Sequence, residues 1–164
     1  MVQVEIINIG DELLIGQVVN TNASQMAQKL NSHGFNVLAT SIIGDNQNQI
    51  RKSLDIALKR ADCVLITGGL GPTKDDITKK TLAEYFKSDL IIDKEVEEHV
   101  KSYFKRKQLP FTETNRAQAL VPEKCKVIFN PVGTAPGMCF EKNGKLIVSM
   151  PGVPFEMRLR MEKV

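Results

Sequence analysis

The chain has 164 residues, 42% of them hydrophobic and 25% charged, which is one domain's worth of ordinary globular sequence. Its formal net charge of +3 is too small to call for nucleic acid, and no apolar stretch approaches the ~20 residues of a membrane helix. Cys63, Cys125 and Cys139 make an odd count without a CxxC pair, which fits neither a disulfide framework nor structural zinc. The N-terminus carries no basic signal-peptide region. A cytoplasmic protein with neither nucleic-acid nor membrane partners is expected.

Residues 2–9 (VQVEIINI) are apolar and β-branched, and read as a strand buried on both faces that ends at Gly10-Asp11-Glu12. Residues 22–33 read as a helix with Asn22 as N-cap, Gln25 at the capping-box position, and Ala23, Met26, Ala27 and Leu30 as its apolar stripe. Gly34 closes it. Residues 35–43 form a second strand ending at Gly44-Asp45-Asn46, and Ile50, Leu54, Ala57 and Leu58 give the next helix its buried side.

The third strand, 63–67 (CVLIT), runs into Gly68, Gly69 and Gly71. Glycines let a backbone take positive φ and approach a ligand closely. Thr73 then reads as a helix N-cap, with Asp76 completing its capping box. A strand, a glycine loop and a helix start in that order present N–H groups to an anion. Asp75 and Asp76 stand beside that anion, where two carboxylates near a phosphate require a divalent cation between them. The same residues also make an ordinary turn with acidic groups in a first helical turn.

This rhythm predicts a mostly parallel sheet with helices on both faces. Further helices are expected at 77–86, 93–107 and 112–120, the first of these led by the glycine loop and the last two separated by Pro110. His33 and His99 are expected on exposed helix faces, away from any site. Asn143-Gly144 between the apolar runs 137–141 and 145–150 signals a hairpin, which makes the sheet mixed. Pro154 opens a last helix without a stop signal, so residues 1–164 read as a single domain truncated at its C-terminus from a longer protein.

In open α/β sheets, ligands bind beyond the carboxyl ends of the strands. Those ends carry Asp11 and Glu12, then Asp45, then residues 67–76, then Pro151 and Gly152. Glycine with a carboxylate at three corners of one crevice suggests a hard, Mg²⁺-like cation held by oxygen.

Five ordered stretches, GDELLIGQVVNTN, TGGLGPTKDDIT, NRAQALVP, NPVGTAPGM and MPGVPFEM, resemble the N-terminal domain of CinA-type competence/damage-inducible proteins, within the wider MogA/MoaB molybdopterin-binding family. The resemblance implies a three-layer α/β/α domain with a mixed sheet, and a pocket made by the glycine loop, Asp45 and the Pro151-Gly152 turn. In the molybdopterin relatives the loop reads Gly-Gly-Thr-Gly and ends in Arg-Asp. Gly68, Gly69, Gly71 and Asp76 match it, Leu70 replaces the threonine, and Asp75 replaces the arginine. CinA-type domains are associated with metal-dependent cleavage of ADP-ribose, which an extra carboxylate suits better than pterin-phosphate binding.

The expected ligand is therefore a small nucleotide or pterin phosphate. The amides of Gly68, Gly69 and Gly71 would hold phosphate, while Asp45 and Asp76, with Asp75, would carry the divalent cation. Thr67 and Lys79 or Lys80 would neutralise developing charge, and Asp11 or Glu12 would close the site. Asn115 and Arg116 enter on the family match alone. A homo-oligomer, dimer or trimer, is expected. Three functions stay open: a pyrophosphatase, a pterin-phosphate binding or transfer domain, and a non-catalytic regulatory module.

Overall fold

The strands that end at Ile9, Ile43 and Met150 each lead through a short turn into a helix, whereas the strand that ends at Thr67 runs into the glycine loop before the next helix. The computed structural model describes residues 1–74 and 76–161. Strands β1 (Gln3–Ile9), β2 (Asn36–Ile43) and β3 (Cys63–Thr67) alternate with helices α1 (Asp11–Leu14), α2 (Thr21–Ser32) and α3 (Gln47–Arg60). Next come α4 (Thr78–Tyr85), β4 (Leu90–Ile92), α5 (Lys94–Arg106), α6 (Glu113–Arg116), a 3-10 turn (Ala117–Ala119), β5 (Leu120–Pro122) and β6 (Lys126–Ile128). The hairpin β7 (Gly137–Lys142) and β8 (Lys145–Met150) and helix α7 (Pro154–Arg160) complete the described order.

The main sheet runs β2-β1-β3-β8-β7-β6, with β8 parallel to β3 and β7 antiparallel to both its neighbours. The sheet is thus mostly parallel and mixed, as the sequence implies. Asn143 and Gly144 both take positive φ (54° and 73°), as a tight hairpin turn requires, and Lys142 pairs with Lys145 across it.

Alternation along the strands builds two cores. Val4, Ile6, Leu65, Val148 and Met150 pack under Met26 and Leu30 of α2 and Met157 of α7. Ile7, Ile9, Val64, Ile66 and Ile147 face the other way, against Ile50, Leu54 and Ala57 of α3 and Leu82 of α4. The result is the three-layer α/β/α arrangement, with a smaller cluster of Val96, Val100 and Ala119 beneath α5.

Several local readings change. Asn20, not Asn22, caps α2, its side chain accepting from the Ala23 amide at 3.2 Å. Helix α4 starts at Thr78 with no side-chain cap, so Thr73 is not its N-cap. The Thr78 amide instead donates to the Gly69 carbonyl at 3.1 Å, folding the glycine loop back onto the helix start. The expected helix 112–120 breaks into α6, the 3-10 turn and β5, which pairs with β4 in a separate two-stranded sheet. His99 is half-buried rather than exposed, with Nε2 2.9 Å from the Gly133 carbonyl oxygen and its ring edge-on to Phe129.

Phe140 is buried in the α3 core and stacks on Phe86 at 4.2 Å, with 8° between the rings. Phe140→Ala is expected to cost about 3–5 kcal/mol of stability. Urea unfolding measures this, and a loss below about 1 kcal/mol would mean that the stack contributes little to the core.

Candidate functional site

The carboxyl ends of β1, β2, β3 and β8 surround one crevice of about 630 Å³, a size that suits a small-molecule ligand. Glu12, Asp45, Thr67, Gly68, Gly69, Gly71, Asp76, Pro151 and Gly152 line it, so most of the expected site residues come together. Asp75 lies outside the described residues. Val18 and Val19, from the segment joining α1 to α2, form an apolar part of the rim.

The glycines serve different ends. Gly68 takes φ +107°, and a Cβ there would run into the Ile9 carbonyl at the end of β1. Gly69 takes φ +67°, and its Cβ would strike the Thr78 hydroxyl. These two glycines are demanded by the fold itself, before any ligand arrives. The Gly68 amide also donates to the Met150 carbonyl at 3.2 Å, so it is not free to hold phosphate as the sequence suggests. Among the described residues, the amides of Gly69 and Gly71 have no such partner. Gly71 has ordinary φ, and a Cβ there would sit 2.7 Å from Asp76 Oδ2.

The carboxylates are held from behind. Asp11 and Asp45 exchange hydrogen bonds, the Asp11 amide donating to Asp45 Oδ2 at 3.1 Å and the Asp45 amide to Asp11 Oδ1 at 3.2 Å. This exchange ties the ends of β1 and β2 together, and Asp11, expected to close the site, is not among the lining residues. Asp76 Oδ2 accepts from the Thr73 amide at 2.9 Å and from its hydroxyl at 2.5 Å. The expected cap is therefore reversed, with Asp76 closing a turn on Thr73. Burial pushes the Asp45 carboxyl above the usual aspartate range, and the neighbouring charges of Asp11, Glu12 and Asp76 push it further, against the Asp11 amide that lowers it.

Glu156 is a fourth crevice carboxylate that the sequence did not single out. It accepts from Asn130 Nδ2 at 2.7 Å, and Asn130 Oδ1 in turn accepts from the Val132 and Gly133 amides. Asn22, read as a cap, instead braces the crevice: its Nδ2 donates to the Gly152 carbonyl at 2.7 Å and to Thr67 Oγ1 at 3.3 Å.

Four expected contributors stand elsewhere. Lys79 donates to the carbonyls of Ala117, Gln118 and Leu120, at 3.3, 3.4 and 2.7 Å, and burial pushes its ammonium down to about 8. Lys80 is exposed and outside the lining. Asn115 donates to the Pro110 carbonyl, and Arg116 pairs with Glu97. The described lining thus contains Glu12, Asp45, Asp76 and Glu156 and no Lys or Arg.

Among the described residues, no three Asp, Glu, His or Cys side chains gather closely enough to hold a metal by themselves. Mg²⁺ does not need such a cage, because it keeps several waters and commonly takes one or two carboxylates plus substrate phosphates. The Asp45 and Asp76 oxygens left uncommitted fit that mode.

Gly68→Ala is expected to cost about 2–4 kcal/mol of stability through strain and the Ile9 contact. Gly71→Ala should cost about 1 kcal/mol or less while displacing the Asp76 carboxylate. Paired urea unfolding curves check this, and equal losses would mean that Gly71 also serves the fold.

A family model described as a probable molybdopterin-binding domain matches residues 5–164. A CinA-like protein of Flavobacterium psychrophilum is 50% identical over 161 residues, 96% of this chain and 38% of that one. A relative from Caldicellulosiruptor bescii, named for competence-damage induction, is 45% identical over 97% of this chain and 39% of its own. The chain thus spans about two fifths of the length of these curated relatives. The crystal structure of CinA from Thermoplasma acidophilum superposes with a TM-score of 0.88 at 36% identity, covering 98% of this chain and 94% of that one. MoaB from Pyrococcus furiosus shares the fold, with a TM-score of 0.64 at 18% identity over 99% of this chain and 89% of that one. The chain is a CinA-like member of the molybdopterin-binding domain family that includes MoaB and MogA.

Proposed function

We propose that the crevice binds a nucleotide-sugar diphosphate of the ADP-ribose type and cleaves its phosphoanhydride with the help of a divalent cation. The observation that carries this reading is the charge of the lining: four carboxylates and no basic side chain among its described residues. Such a wall repels a diphosphate unless a cation lies between them. Asp45 and Asp76 would hold that cation, Mg²⁺-like and oxygen-bound. When bound, it supplies charge neutralisation at phosphorus and a more acidic water.

The chain's own residues do the rest. Gly69 and Gly71 offer amides to a phosphate oxygen, and Thr73 holds one oxygen of Asp76, leaving the other for the cation. Asp11 fixes Asp45 in the same way. Val18 and Val19 limit water at the rim.

The family match supports a second reading, a pterin-phosphate binding or transfer domain of cofactor biosynthesis. In a third, the domain is a regulatory module that binds nucleotide in the same crevice without turnover. In each, the domain works in the cytoplasm as a homo-oligomer, dimer or trimer. Ile15 and Val19, 76% and 80% exposed, are apolar surface of the kind that a second copy covers.

Incubating the domain with a panel of nucleoside diphosphate sugars, with and without divalent metals, tests the first reading. Turnover should require metal, and Asp45→Asn and Asp76→Asn should each lower it by at least about 100-fold, beyond the usual effect of losing a group behind the ligands. Because Asp45 must lose its proton to bind the cation, metal affinity should rise with pH through a midpoint above the usual aspartate range. If Asp76→Asn keeps full metal-dependent turnover, or the unmutated domain cleaves nothing with any divalent metal, the hydrolase reading gives way to the binding module.

A further inference from the structure

Glu156 sits in the first turn of α7 and lines the crevice, with no part in the cation site proposed above. Its carboxylate is held from two sides. Oε2 accepts from Asn130 Nδ2 at 2.7 Å, and the group lies against the Gly133 backbone, where a Cβ would collide with Oε1, Cδ and Oε2 alike. Asn130 is buried and fixed in turn, giving Nδ2 to the Ala135 carbonyl at 2.9 Å and taking the Val132 and Gly133 amides on Oδ1. Thr134 and Ala135 of the same loop also line the crevice. Glu156 Oε1 has no donor among the described residues. Unlike Asn8 Oδ1 and Asn22 Oδ1, which are closed off from solvent, it stays open to a ligand on a half-buried side chain.

This carboxylate stands apart from Asp45. Asp45 follows β2 and Glu156 follows β8, at opposite ends of the order β2-β1-β3-β8, about 14 Å apart at the usual strand spacing. The charges that raise the Asp45 carboxyl are those of Asp11, Glu12 and Asp76, and Glu156 is not one of them. An Mg²⁺-like ion holds its ligands at about 2.0–2.1 Å, so one bound at Asp45 does not serve Glu156 as well. A carboxylate without a cation repels phosphate. It accepts strongly from a neutral O–H, and such a charge-assisted bond is about twice as strong as one between neutral groups.

We propose that Glu156 is a specificity residue of the crevice, its Oε1 accepting hydrogen bonds from the vicinal hydroxyls of a ribose. Under the nucleotide-sugar reading, on which this assignment rests, Glu156 selects the sugar while the cation and the amides take the phosphates. Strand β8 is the neighbour of β3, whose end carries the glycine loop, so a ribose next to a phosphate on the Gly69 and Gly71 amides extends toward Glu156. Either ribose of an ADP-ribose-type ligand, the nucleoside one or the terminal one, can supply the pair. A molecule with the same phosphates and no hydroxyls at that place forfeits the bond, which is how a polar site rejects an analogue lacking the matching group.

Calorimetry with Mg²⁺ and three uncleavable probes of equal charge tests this. They are the methylene-bridged analogue of ADP-ribose, its 2′,3′-dideoxyadenosine form, and the form with a methyl group in place of the terminal ribose. The unmutated protein should bind at least one of the last two about tenfold more weakly than the first, and which one identifies the ribose. Glu156→Ala should bring that ratio close to one by weakening the first probe. If neither analogue is weaker, or if Glu156→Ala leaves the ratio where it was, Glu156 only braces its loop and the assignment is overturned. If the unmutated protein binds none of the three, the nucleotide-sugar reading falls and this assignment falls with it. Should circular dichroism show Glu156→Ala unfolded, Glu156→Gln decides, because its amide oxygen can keep the Asn130 bond while the charge is gone. The ratio should then fall at least about threefold, and an unchanged ratio overturns the proposal.

Discussion

The ends of β1, β3 and β8 converge so closely that only backbone fits between them. A methyl on Gly68 would strike the Ile9 carbonyl, and one on Gly152 would come within 3.2 Å of the Gly68 Cα. Gly68 also gives its amide to Met150, closing β3 against β8. The chain after Gly68 therefore turns off the sheet, with Gly69 in the left-handed region, and carries the loop through Gly71 and Asp76 along the crevice wall. The crevice is the space beyond this convergence. Its floor is as rigid as the sheet, which is how a site gains precision from a scaffold.

Electrostatics then decides what can enter. Two of the basic side chains near the loop are committed elsewhere: Lys79 ties α4 to the carbonyls around the 3-10 turn, and Arg116 pairs with Glu97 on α5. Four carboxylates line the crevice instead, with Asp11 and Thr73 holding Asp45 and Asp76 in place. On the proposed reading, the described lining would offer a phosphate amides but no basic side chain. That is why the proposed function calls for an exogenous divalent ion.

Much of this is legible in the sequence because it is local. The parallel strands announce themselves by apolar β-branched runs, the hairpin by Asn143-Gly144, and the crevice by acidic and glycine residues at successive strand ends. What is not legible depends on distant partners or on very short elements. Strands β4, β5 and β6 have three residues each, too few to show a period. Asn20 and Asn22 are equally good caps as residue types, and only the contact with Gly152, 130 positions away, assigns Asn22 to the crevice. Thr73 and Asp76 carry the letters of a capping box, yet they close a turn that precedes the helix. Glu156 reads as an ordinary first-turn acid until Asn130 and the crevice are seen around it.

The proposed function requires that phosphate enter this crevice only with a cation. Phosphorus resonances of a non-turned-over nucleoside diphosphate analogue, titrated with the domain in Mg²⁺ and then in excess chelator, test it most directly. Broadening and shifts should appear with Mg²⁺ and vanish on chelation. Equal perturbation in both conditions would contradict it.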